Sequence, residues 1–149
     1  MTKEVRFPDG TIVRASSLPF RRMDDEWRQF GLYTDERWAP SWPAEIIAWG
    51  DFGIPDCFEE ATDQICRAFD RARRGEHVEV GCVGGTGRTG TVLACMAVLA
   101  AVPKAEAVEW VRKKYDPYAV EPDQQGRPLQ ERWVERFADH VHGRVATNP

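Results

Sequence analysis

The chain has 149 residues and a mass of 17.0 kDa, room for one compact domain with a real core and little for a second module. Hydrophobic residues make up 42% and charged residues 30%, which excludes disordered and collagen-like classes. A formal net charge of −4, with acids and bases interspersed, argues against a broad footprint for nucleic acid or anionic lipid, so any anion site must be local.

The first apolar signal is a hairpin: Glu4 to Phe7 and Thr11 to Ala15 are β-rich runs around Pro8-Asp9-Gly10. Residues 16–43 carry Trp27, Phe30, Tyr33, Trp38 and Trp42 among charges with no clear period. An irregular, ordered segment pinned by aromatics is expected there, the rings serving as core filler or as binding determinants. Glu45 to Trp49 suits a buried strand, and the turn-rich Gly50 to Asp56 follows it as a loop. Phe58, Ala61, Ile65, Phe69 and Ala72 share one face of a helix over residues 58–74, with Gly75 as its stop. His77 to Val83 alternates and is β-branched, predicting a strand; a glycine-rich turn follows, then a largely apolar helix from Thr89 to Ala101. Pro103 opens a helix that Asp116-Pro117 ends, residues 121–127 form a loop, and Leu129 to Val141 gives a closing helix beyond which residues 143–149 should fray.

The longest apolar run, Val92 to Val102, is about half of the ~20 residues a membrane span needs. The N-terminal stretch lacks the apolar core of a secretory signal, so a cytoplasmic protein with reduced thiols is expected. Cysteines 57, 66, 82 and 95 include no C-x-x-C pair and have no nearby histidine cluster, which suggests neither a zinc site nor a disulfide framework. His77, His140 and His142 have no partners at ligand spacing. Cys66 and Cys95 read as small helix hydrophobes. Cys57, beside the loop at 50–56, reads as a packing cysteine, the alternative being a reversible disulfide with Cys82.

The turn after the strand carries glycines at 81, 84, 85, 87 and 90. Such a turn can curl so that successive N–H groups point inward at a helix N-terminus, a cradle for phosphate. Three phosphate-handling motifs share this appearance. A P-loop fails because Cys82 replaces its first glycine and Arg88 its lysine. The dinucleotide fingerprint G-x-G-x-x-G fits Gly85 to Gly90, but no second strand with an acidic end follows. What remains is C-x5-R. It places a sulfur able to attack at one end of the cradle and a planar two-pronged cation at the other. The amides, the helix dipole and the cation together favour thiolate over thiol at Cys82.

The segment from Val80 through Gly81, Cys82, Val83, Gly84, Gly85, Thr86, Gly87, Arg88, Thr89 and Gly90 to Thr91 resembles the signature loop of the protein tyrosine phosphatase superfamily. The resemblance implies a phosphocysteine intermediate on Cys82 and phosphate held by Arg88 and the amides of Val83, Gly84, Gly85, Thr86 and Gly87. It also implies a Thr89 hydroxyl that helps the sulfur leave. The family usually has histidine before the cysteine, a hydrogen-bonding support of the loop; this chain has Gly81. A leaving alkoxide or phenoxide needs a proton, and Trp49-Gly50-Asp51-Phe52-Gly53-Ile54-Pro55 resembles the family's acid loop, which makes Asp51 the general acid and Asp56 its competitor. Gly50 stands where proline is usual. Pro128 to Val134 resembles the segment whose glutamine orients the hydrolytic water, which implies Gln130.

The expected fold is a three-layer α/β domain over residues 1–149, with a small, mostly parallel central sheet flanked by helices and the signature loop between strand 77–83 and helix 89–101. The expected activity is phosphomonoester hydrolysis of a phosphotyrosine protein or a small phosphate ester. No metal, cofactor, nucleic acid or membrane partner is implied, and the chain should be a monomer. The competing reading is a catalytically weak phosphate-binding module.

Overall fold

The structure, a computed structural model, describes residues 2–20, 26–50, 52–84 and 86–147. Alternating apolar residues start the sheet: β1 (Thr2–Arg6) and β2 (Ile12–Ser17) pair antiparallel with Val5 opposite Val13, joined by a turn whose Gly10 has φ of 90°. Such a φ suits glycine. Every later pairing is parallel. The strand order is β1-β2-β5-β3-β4, where β5 (Val78–Cys82) runs between β2 and β3, and all five of its residues are buried. Central parallel strands are covered on both faces, which accounts for the complete burial of β5, its one charged residue Glu79 included.

Alternation divides the sheet into two chemistries. Val78 and Val80 of β5, Phe30 and Leu32 of β3, and Val13 and Ala15 of β2 belong to the apolar core. The helix α1 (Phe58–Arg73) contacts β2, β3 and β5, and α2 (Gly87–Leu99) contacts β5. The helices α3 (Ala107–Lys114) and α4 (Leu129–Thr147) pack on α2. Buried among these elements, α2 is apolar nearly all round, as such a helix must be.

The third layer contains no α-helix among the described residues. It consists of a one-turn 3-10 segment, Glu36–Trp38, and of aromatic and cationic side chains laid over Glu79 and Gly81. Thus the three-layer, mostly parallel α/β architecture is present, with a strand that the pattern of residues 16–43 did not announce. That strand, β3 (Phe30–Tyr33), is four residues long and buried throughout, so it shows no polar alternation. The strand expected at 45–49 is β4, Ala44–Ile46, while Trp49 makes an isolated bridge with Pro55. The closing helix does not fray at Gly143 but continues to Thr147. One helical glycine costs about 1 kcal/mol and does not end a helix by itself.

Candidate active site

The parallel strands deliver their carboxyl ends to one edge, where ligands of open α/β sheets bind. Cys82 is the last residue of β5 and only 2% exposed. Val83 and Thr86 are half-buried, Gly84 is exposed, and α2 begins at Gly87. Gly85 lies outside the described residues. None of the described glycines of this turn has a positive φ. At two of them the reason is close approach: a Cβ on Gly87 would overlap the Glu121 carboxylate, and one on Gly90 would lie 2.8 Å from Ala119 Cα, whereas one on Gly84 would meet nothing within 4 Å.

Arg88, in the first turn of α2, is also 2% exposed. Its Nη1 donates to the carbonyls of Thr34 (3.2 Å) and Trp49 (2.9 Å) and lies 3.7 Å from Asp35 Oδ2. The cation is therefore aimed by the end of β3 and by the residue that opens the loop 50–56. Thr34 to Arg37 and Ile46 to Trp49 line a cleft of about 500 Å³ beside it. Thr89 is fully buried, and its Oγ1 makes no hydrogen bond with any described residue. The Tyr115 hydroxyl is pushed above the usual phenol range, first by burial and then by the nearby Cys82, so it stays protonated.

Asp51, the expected acid, lies outside the described residues, but the loop around it is closed at several points. Trp49 bridges Pro55, and Gly53 N donates to Gly50 O at 3.1 Å. Phe52 has φ of 62°, a left-handed conformation that a bulky residue adopts only under constraint. Gly53 O accepts from Trp49 Nε1 (2.6 Å) and from Gln130 Nε2 (3.1 Å). Phe52 and Ile54 are exposed on this loop. Asp56, the competing acid, is exposed and lines a different cleft, of about 90 Å³, together with Cys57, Glu60 and Gln64.

Gln130 is fully buried. Its Oε1 accepts from Thr91 Oγ1 (2.9 Å) and from the Glu121 N–H (2.9 Å), while its Nε2 holds Gly53 O. One amide thus joins α2, the segment after α3 and the loop 50–56.

Residues 54–136, more than half of the chain, match the family model described as "PTP-SAK: Swiss Army Knife protein, DSP-PTPase phosphatase domain". The chain belongs to this family of phosphatase domains. It is 34% identical over 125 residues to the uncharacterized protein MJECL20 of Methanocaldococcus jannaschii, covering 76% of this chain and 82% of that protein. To the uncharacterized protein MJ0215 of the same organism it is 33% identical over 122 residues, covering 73% and 72%. Among solved structures, the fold resembles that of PTPMT1 (TM-score 0.66, 18% identity, 98% of this chain and 100% of that chain). It also resembles a variant of human DUSP28 (TM-score 0.70, 14% identity, 95% and 97%). A mutant form of Tk-PTP gives a TM-score of 0.65 at 22% identity, covering 93% and 96%.

In this PTP-SAK domain the described signature residues, Arg88's anchor on Trp49 and the Gln130 brace all gather at the sheet's carboxyl edge. Asp56 is not drawn into that hydrogen-bonded group. Cys57 is exposed rather than packed, and all four cysteines are free thiols; Cys95 is fully buried, which pushes its thiol up. No described group of three or more His, Cys, Asp or Glu could hold a metal ion, and no described helix is long and apolar enough to cross a membrane.

Sequence reasoning missed Tyr115 and Trp38. The Trp38 ring lies over Gly81: a Cβ there would overlap it and come within 2.9 Å of Ser16 O. Trp38 Nε1 donates to Cys82 O at 3.3 Å. The one available signal was the bare Gly81 itself, a position with no side chain in a chain rich in unassigned aromatics.

Proposed function

We propose that this phosphatase domain hydrolyses phosphomonoesters through a phosphocysteine on Cys82. The thiolate attacks phosphorus and the ester P–O bond breaks, while Asp51 gives its proton to the leaving oxygen. A water then attacks the phosphocysteine, Asp51 takes a proton from it, and inorganic phosphate and the thiolate are released. Arg88 holds two equatorial oxygens, and the amides from Val83 to Gly87 with the N-terminus of α2 bear the remaining charge. The buried Thr89 hydroxyl, which has no described partner, is free to donate to sulfur as it leaves.

The observation that carries this reading is the bond from Arg88 Nη1 to Trp49 O. It ties the proposed phosphate clamp to the residue that opens the loop 50–56, which supports a shared role for the two segments. Gln130 serves that loop by holding Gly53 O; in this reading it acts as a positioning residue.

Phosphotyrosine is the favoured substrate, because the acid loop resembles that of tyrosine-specific members and offers exposed Phe52 and Ile54 to an aryl ring. Small phosphate esters remain in the test panel. So do phosphoinositides, since a neighbour in fold, PTPMT1, forms a complex with PI(5)P. The enzyme is proposed to act as a monomeric, cytoplasmic, metal-independent single domain.

Hydrolysis of para-nitrophenyl phosphate by the wild type and by Cys82→Ser tests the proposal. Removing a covalent nucleophile should abolish turnover, a loss of about 10³-fold or more. An inactive wild type across pH 5 to 8 would favour the phosphate-binding module. Retained turnover in Cys82→Ser would remove Cys82 from the mechanism.

A further inference from the structure

We propose that Trp38 is the positioning residue for the nucleophile's end of the phosphate loop, supplying from a distant 3-10 turn the support that a side chain at position 81 would otherwise give. The proposal rests on the catalytic reading of Cys82.

Two contacts made by one indole point to it. The ring fills the space over Gly81 that any side chain would need, and its N–H reaches Cys82 O. The peptide following Cys82 is trans, so its C=O and N–H point in opposite directions. Pinning Cys82 O toward Trp38 therefore turns the Val83 N–H the other way, off the face that Trp38 covers. That amide is the first of the proposed anion cradle.

The indole is held on every side. Trp38 is fully buried and stacks on Tyr33 with ring centroids 4.1 Å apart and planes 15° apart. The Tyr33 hydroxyl donates to Glu79 Oε1 (2.7 Å) and accepts from Trp42 Nε1 (2.9 Å), and the Arg28 guanidinium lies 4.0 Å over the Trp42 ring. At the turn itself, Asp35 Oδ1 accepts from Arg37 N, and Ala39 takes a left-handed φ of 44° to close it. An alanine in that conformation persists only where the surroundings impose it. Gly31 is needed as well, because a Cβ on it would overlap the Tyr33 ring. Two glycines on neighbouring strands thus make a trough for two stacked rings, and the second ring ends on the nucleophile's carbonyl.

A side chain at 81 and an indole at 38 exclude each other, which gives a test with a sign. The probe is iodoacetamide, with alkylation of the Cys82 peptide followed by mass spectrometry across pH, so hydrolysis is not required. Trp38→Phe keeps a ring in the stack and removes the N–H together with part of the indole's bulk over Gly81. If the Val83 N–H turns away from the sulfur, the midpoint of its alkylation profile should move to higher pH, by up to about one unit for a weakened amide bond to the thiolate. Gly81→His alone should be damaging, since it collides with Trp38. Combined with Trp38→Ala, it should bring the midpoint back toward the wild type, closer than Trp38→Ala alone. A Trp38→Phe profile superimposed on the wild type overturns the proposal, as does a folded double variant no better than Trp38→Ala. If the double variant does not fold, Trp38→Phe decides alone. A shifted profile in a protein with no phosphatase activity would overturn the hydrolysis reading and leave the role of Trp38 standing.

Discussion

The two faces of the central sheet are built from the same three strands and do different work. On the helical face Val78, Val80, Leu32 and Ala15 meet α1 and α2 in an apolar core, where volume matters and identity is negotiable. On the other face, one residue along, Glu79 is 1% exposed and accepts from Arg14 Nε (3.0 Å), Arg28 Nε (2.9 Å), Tyr33 OH (2.7 Å) and Ser16 Oγ (2.9 Å). Burial and the Glu79 charge push the Tyr33 hydroxyl above the phenol range, so it remains a donor. A network of this kind adds little net stability over apolar packing but fixes one geometry. Its geometry ends, through Tyr33 and Trp38, on the carbonyl of Cys82. The apolar face keeps the strand in place; the polar face sets where its last residue points.

The largest effects should separate these two jobs. Glu79→Gln leaves the buried Arg28 guanidinium and the half-buried Arg14 one facing a neutral amide and should cost about 3–5 kcal/mol, the scale for breaking one side of a buried pair. Leu32→Ala on the opposite face should cost a comparable 2–5 kcal/mol, about the usual range for a core truncation. Urea titration reads both. At a temperature where each variant is folded, Glu79→Gln should slow para-nitrophenyl phosphate turnover well beyond Leu32→Ala. Equal activity at matched folding would mean that the polar face is only another way of covering the sheet.

Gln130 sharpens the comparison because it is a polar residue inside the helical layer. Gln130→Leu keeps the bulk but strands Glu121 N–H, Thr91 Oγ1 and one bond to Gly53 O. Each unsatisfied buried group costs about 1–3 kcal/mol, and the Thr91 hydroxyl, still bonded to Gly87 O at 2.9 Å, should soften the total toward the low end. Turnover of esters with poor leaving groups should fall more than that of para-nitrophenyl phosphate, since the loop that carries the acid loses a tether. A uniform fall across leaving groups would make Gln130 structural only.

Local pattern made the hairpin, α1 and the strand-turn-helix unit legible, because each declares itself within about ten residues. The ends of the catalytic loop, Cys82 and Arg88, were legible for the same reason. The family resemblance pointed to Asp51, which lies outside the described residues, and to Gln130, but it could not give the depth at which Gln130 sits. β3 was hidden because a four-residue strand buried on both faces has no alternation to read. The partner of Gly81 was hidden because it comes from Trp38, whose neighbours in sequence say nothing about β5. The glycines were seen, but not the neighbours that two of them admit, the Glu121 side chain at 87 and Ala119 at 90, which come from distant sequence.

The smallest expected effect lies at the rim of the polar face, where the same chemistry is wet. The Asp35 side-chain hydrogen bonds to Arg37 outweigh partial burial and hold its carboxyl down to about 2. Arg37 Nη2 lies 2.8 Å from Asp35 Oδ2, but the Arg37 side chain is 64% exposed, so water and salt should keep the pair's worth below about 1 kcal/mol. A folded value below the usual carboxylate value of about 3.9 means that the ionised form favours the fold. Its contribution is complete above the unfolded value and drains away as pH falls through about 2. Asp35→Asn keeps an acceptor for the Arg37 N–H and removes the charge together with the second oxygen that accepts from Arg37 Nη2. The stability gap between wild type and variant, read by urea titration, should therefore be small at pH 6 and shrink toward zero near pH 2. A gap that stayed constant with pH would assign Asp35 to the turn's geometry, leaving Glu79 as the carboxylate whose charge organises this face.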